Sequence, residues 1–176
     1  MMTSNAVRIS RTVPQSASGA IALDKIESLI VRQGLDHWVR MRGVRQYPAR
    51  SDFSPRALTM LLRNIVLLRT VDNGADYEFR VVGDAHVTAH GFSMQGLRVS
   101  DVDKYSPGYG RVLKSLYDHT IAIRDAFAFR GWMERGQTST QYIYSESVFL
   151  PLGPDDQTID HILNFSVYSA REKYEP

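Results

Sequence analysis

Two histidines four residues apart, His86 and His90, stand in the stretch DYEFRVVGDAHVTAHG (76–91), which reads as a strand, a turn and a helical step closed by glycine. Positions i and i+4 of a helix share a face, so both rings can reach one ion or one ligand. Zinc wants a third protein ligand and no HExxH frame surrounds the pair, so no metal ligand is assigned. Two readings remain. The rings are hydrogen-bonded residues at a pocket rim, or they are the few polar groups by which a mostly apolar pocket reads a carbonyl or carboxylate. His119 sits beside an apolar stripe through Leu116 and Ile123, where a histidine packs or ligates. Asn164 shares a strand face with Ile162 and Ser166, and a buried amide there must find partners, in a neighbouring element or in a ligand. His86, His90, His119 and Asn164 are the candidate ligand-binding residues.

Other clusters carry less chemistry. Arg40, Arg42, Arg45, Arg50, Arg56 and Arg63 could hold a phosphate, but Asp36 and Asp52 stand among them and no aromatic interleaving marks a base-stacking platform. Solvated faces with local ion pairs are the expectation. Trp38, Met41, Leu58, Leu61 and Leu62 suit a core or a dimer seam equally. GFSMQG (91–96) is not a nucleophile elbow, because Gln95 holds its fifth position. Asp101 and Asp103 lie in a turn with nothing to fix a substrate. Asp160 and His161 are strand neighbours expected to point to opposite faces, so they are not expected to form a dyad. No catalytic residue is assigned and the chain is not expected to be an enzyme. A cone-shaped α+β isomerase or dehydratase is the least favoured alternative, since it would place its helices before its strands.

The elements that must position these residues fit a chain of 176 residues, one domain with a tail. Hydrophobic residues make up 43% and charged residues 23%, as in an ordinary globular domain. The net charge of +2 is too small to argue for nucleic acid. With no cysteine, thiol nucleophiles, cysteine-ligated zinc and disulfides are excluded. The first 20 residues lack the apolar core of a signal peptide, and no run approaches the roughly 20 apolar residues of a membrane helix. A cytoplasmic protein without membrane or nucleic-acid partners is expected.

Residues 1–20 read as a flexible tail, 21–63 as an N-terminal helical region and 64–170 as the core. Asp24 with Glu27 resembles a capping box, so a helix is expected from Asp24, with Gly34 as a potential break. Ser54–Pro55 signals a second, short helix. NIVLLRTV (64–71) is apolar on both faces and suits a central strand, followed by the hairpin turn Asp72–Asn73–Gly74. YEFRVVG alternates, placing Tyr77, Phe79 and Val81 on one face. Ser106–Pro107 opens a long helix to about Arg124 with Val112, Leu113, Leu116, Tyr117 and Ile121 as its stripe. Strands are expected over 126–135, 140–152 and 158–168. This order gives an α+β fold: one antiparallel five-stranded sheet with short helices and one long helix on a face, preceded by an N-terminal helix.

The stretches LDHWVRMRGVRQYPARSDFSP, LLRNIVLL, YEFRVVG, GFSMQGLRVSDV and YSESVFLPLGPDDQTIDHIL, within residues 23–169, resemble the PAS-like family of alphaproteobacterial stand-alone sensor domains. The resemblance implies a bacterial sensory or protein-interaction module that binds a small ligand or forms a homodimer through its N-terminal helix, and signals to an unknown partner protein. It implies no particular ligand, so the cofactor stays unknown. A haem- or metal-binding sensor is the alternative, because PAS domains that bind haem often take an axial histidine from the long helix, the place of His119. The last strand often reads the ligand in PAS domains, the place of Asn164. Three departures stand out. Arg63 replaces a proline, Asp84 replaces a threonine as an expected N-cap, and His86 and His90 stand where the family is apolar.

Overall fold

Valine- and leucine-rich segments separated by glycine and asparagine turns pair into one antiparallel sheet. In the computed structural model, residues 18–134 and 141–172 are described, with side chains over 18–131 and 144–169; the expected tail over 1–17 lies outside them. The elements are β1 (Gly19–Ile21), α1 (Leu29–Arg42), β2 (Ile65–Val71), β3 (Asp76–Val82), α2 (Asp84–His90), α3 (Tyr109–Ile123), β4 (Phe127–Glu134), β5 (Gln141–Leu152) and β6 (His161–Glu172). The sheet order is β1-β4-β5-β6-β2-β3, every pairing antiparallel. The five expected strands are joined by a sixth, β1, which extends the β4 edge.

Both faces of the sheet are covered. Ile65, Leu67, Val148, Leu150, Leu163 and Phe165 point to α1, where Val31, Leu35 and Trp38 meet them. Val66, Leu68, Phe149 and Ile162 point the other way, to Leu113 and Tyr117 of α3. Trp38 is therefore core, and its indole N–H donates to the Pro151 carbonyl at 2.9 Å. α1 and the strands share one core, so side chains of the 21–63 region pack directly on those of the 64–170 region. Gly34 does not break α1. It sits against Phe165, and a methyl group there would fall inside that ring.

Several local expectations are corrected by packing. α1 begins at Leu29, not Asp24; Ser28 is its N-cap, and Asp24 lies in a preceding 3-10 turn, Leu23–Lys25. The cause is distant: the Glu146 carboxylate of β5 accepts from the backbone N–H groups of Glu27 and Ser28, at 3.1 and 2.7 Å, and so fixes where the helix starts. Cross-strand Arg130 bonds the same carboxylate at 2.9 Å and so compensates its burial. The segment after Ser54–Pro55 is a turn and a 3-10 helix, Thr59–Asn64. α3 starts at Tyr109, not Pro107; Gly108 is its N-cap in the left-handed region, and Asp103 accepts from the Gly110 N–H at 2.6 Å.

In β3 the register pairs Leu67 with Val81 but Leu68 with Phe79, so Arg80 is an extra residue. This bulge turns Val81 away from the Phe79 face and gives its place to Val82. Asp160 precedes β6 instead of lying within it, so strand alternation does not separate it from His161; its carboxylate reaches His161 Nδ1 at 2.8 Å. Among the described residues, no helix is long and apolar enough to cross a membrane.

Candidate functional site

Two cross-strand rows on the α3 side of the sheet build a cleft. Phe129, Ser147 and Ser166 stand side by side on β4, β5 and β6, and Gly131, Ser145 and Tyr168 form the next row. Strand alternation puts all six on one face. α3 roofs them with Tyr109, Val112, Leu113 and Leu116, and Phe149 closes the inner end. Val112, Leu113 and Leu116 of the stripe read from the sequence thus form the cleft's apolar roof, while Tyr117 and Ile121 do not line it. Gly131 adds no side chain to the second row, and the Phe129 ring leans into the place its Cβ would take. The cleft measures about 70 Å³, well below the roughly 300–1,000 Å³ of an ordinary small-molecule site. Its lining carries three serine and two tyrosine hydroxyls and no charged side chain.

The hydroxyls belong to two ordered networks. Ser147 and Ser166 share a hydrogen bond of 2.6 Å, Ser166 donates to Asn164 Oδ1 at 3.0 Å, and the Asn164 amide donates to the Val148 carbonyl at 3.0 Å. Asn164 is only 3% exposed. Its partners are thus the next strand and a neighbouring serine, which satisfy a buried amide at both ends.

The second network holds the histidines. Gly83 ends β3 with its backbone against the carbonyls of Leu62 and Arg63, where no Cβ fits, and this contact lays α2 across the end of β6. His86, 2% exposed, places Nε2 3.1 Å from the Asn64 carbonyl and Nδ1 2.7 Å from the Tyr168 hydroxyl. His90 Nε2 lies 3.4 Å from the Tyr168 hydroxyl and 3.3 Å from that of Tyr109. The two imidazoles stack at 6.5 Å, and Tyr168 stands edge-on to both. Burial lowers His86 to about 4, against the pull of the Asn64 carbonyl. Burial, then the neighbouring His86, lowers His90 to about 3. Both rings are neutral at pH 7. Burial also raises Tyr109 and Tyr168, so their hydroxyls stay protonated and able to donate.

None of the four expected residues lines the cleft. His86 and His90 stand behind Tyr168 and Tyr109, and Asn164 stands behind Ser166, each one hydrogen bond from the wall. His119 is not brought to them; it is exposed and packs edge-on to Phe127 at 4.5 Å. The wall itself escaped the sequence reading, though the alternation of YSESVFL already puts Ser145, Ser147 and Phe149 on one face. Both ring nitrogens of His86 are engaged, so it offers no free lone pair to a metal ion. Among the described residues no three histidine or carboxylate side chains gather into a metal site.

Two departures noted in the sequence meet in space. Arg63 and Asp84 form an exposed ion pair of 3.1 Å beside the His86–Asn64 contact; Asp84 is the first residue of α2 and Gly83 its N-cap. The family model described as PAS domain matches residues 27–165, from just before α1 into β6. No curated protein matches the chain.

Proposed function

Because this chain belongs to the PAS domain family, by its match over residues 27–165, we propose that its sensory or interaction role is exercised through the cleft under α3. That cleft takes a small uncharged molecule with one or two hydrogen-bonding groups and a short apolar body. The observation that carries this is its lining: five hydroxyls from Ser145, Ser147, Ser166, Tyr109 and Tyr168 among aliphatic and aromatic walls, with no group to neutralise an ion. A ligand larger than the cleft must lift α3, and binding would then favour the lifted population. That shift is the signal passed to a partner protein.

Haem fits this reading less well, since His119 lies outside the cleft and a macrocycle exceeds its volume. Homodimerisation through α1 is the second arm of the proposal. Leu29 and Val39 are exposed apolar residues on that helix, 68% and 45% accessible. Size-exclusion chromatography with light scattering should give a dimer that L29E/V39E converts to a monomer; a wild-type monomer at high concentration removes this arm.

The ligand arm is tested by thermal shift and native mass spectrometry with small alcohols, ketones, amides and phenols beside carboxylate and ammonium analogues. Neutral compounds should stabilise the protein, and S147V/S166V should abolish the effect. Stabilisation by the charged analogues alone, or none by any compound, would leave interaction without sensing.

A further inference from the structure

A second concavity lies on the opposite side of the sheet, between α1 and the 56–61 segment. It is an open groove of about 370 Å³, within the range of small-molecule sites and several times the volume of the cleft under α3. Gln33, Asp36, His37 and Arg40 contribute one wall from a single flank of α1, and Arg56 and Met60 stand on the other.

Three observations set this groove apart. First, Arg40 and Arg56 make no ion pair with a described residue, a property they share with Arg42 and Arg50 of the same stretch but not with Arg45 and Arg63, which pair with Asp52 and Asp84 at 2.6 and 3.1 Å; of the four unpaired arginines, these two line the groove. Second, His37 is 9% exposed, yet its Nε2 has no hydrogen-bond partner among the described residues. A buried ring nitrogen without a partner costs free energy. Third, Met60 is 86% exposed at the groove's edge, which gives an apolar contact beside the charges. Asp36 is the one carboxylate on the wall, so cationic groups outnumber anionic ones there by two to one.

We propose that this groove is a second binding site, for a small polyanion on a short carbon frame, such as a polycarboxylate or a phosphate ester, held by the Arg40 and Arg56 guanidinium groups. Planar guanidinium forks match carboxylate and phosphate oxygens two at a time, so a ligand with two anionic groups uses both arginines. Gln33 and Thr59, which also line the groove, supply neutral hydrogen bonds to its remaining oxygens. The groove offers no aromatic side chain other than His37 for a base to stack on, and the chain's net charge is only +2, so a nucleic acid is not the occupant.

The test is a ¹⁵N–¹H NMR titration of the whole chain, at low ionic strength, with citrate and separately with fructose 1,6-bisphosphate. Saturable shifts should appear at groove amides and at the His37 ring, and the tighter probe names the preferred oxyanion. R40Q and R56Q should each weaken binding at least tenfold. D36N should tighten it several-fold by removing the opposing charge. S147V/S166V should leave it unchanged, which separates this site from the cleft. Both arginines are exposed, and the spectrum itself reports whether each variant is folded. Linear shifts without saturation, equal affinity in R40Q/R56Q, or weaker binding in D36N would overturn the proposal.

Discussion

The Tyr168 hydroxyl donates to Nδ1 of His86 across 2.7 Å, because the opposite ring nitrogen, facing the Asn64 carbonyl at 3.1 Å, must carry the hydrogen. One imidazole thus fastens α2 to the segment before β2 through one edge and to β6 through the other. Its tautomer is fixed by a backbone oxygen. Removing the hydroxyl leaves a buried acceptor with nothing to accept. Y168F should destabilise the fold by about 1–3 kcal/mol in urea unfolding. In a double-mutant cycle with H86F the two losses should fall short of additive, by about 0.5–3 kcal/mol. Strict additivity would mean that the two side chains do not interact.

The buried histidines make stability depend on pH. His86 and His90 titrate near 4 and 3 in the folded protein and near 6.5 when unfolded. Below pH 6.5 the unfolded chain takes up protons that the folded chain refuses. Stability is therefore full above that value and falls as pH drops toward 4, with a limiting slope of about 1.4 kcal/mol per pH unit for each histidine. Denaturant titrations at pH 7, 6 and 5 should show this fall, and H86N/H90N should flatten it. An equal slope in the variant would assign the effect to other groups.

Gly34 tests the close approach of α1 to the sheet. Alanine is a better helix former by about 1 kcal/mol, yet its methyl would enter the Phe165 ring. G34A should therefore lower the melting temperature, with overpacking of about 1–3 kcal/mol outweighing the helical gain. The smaller side chain of F165L should recover part of the loss in the double variant. A more stable G34A would show that helix and sheet separate easily.

Glu146 should hold the start of α1. E146Q removes the charge that Arg130 and two backbone N–H groups address inside the protein. A loss of about 1–3 kcal/mol is expected, because Arg130 keeps Glu27 and the Lys25 carbonyl as partners. Hydrogen exchange should quicken at Glu27 and Ser28 before it does so in β6. Unchanged exchange there would place the helix start under local control.

Long periodic segments were legible in the sequence because their signal is local. Alternation in YEFRVVG and the Leu113–Tyr117 stripe each report a face that must be covered, and the fold follows from those faces. What escaped was set at a distance. Strand β1 has three residues and exists only because the β4 edge receives it. The start of α1 is chosen by a carboxylate more than a hundred residues away. The site was half legible for a related reason. A histidine in a helix or an asparagine in a strand stands out as an exception to its surroundings; His86, His90 and Asn164 proved to be the braces behind the wall, whereas His119 is exposed away from it. The serine and tyrosine hydroxyls of the wall look ordinary along the chain and acquire meaning only when β4, β5 and β6 set them in rows.

Ser147 and Glu146 are consecutive residues of β5 on opposite sides of the sheet, one in the cleft and the other gripping the first turn of α1. The strand is a rocker with an arm in each compartment. Any tilt of β5 that moved one arm would move the other through a single peptide bond, with no relay of side chains between.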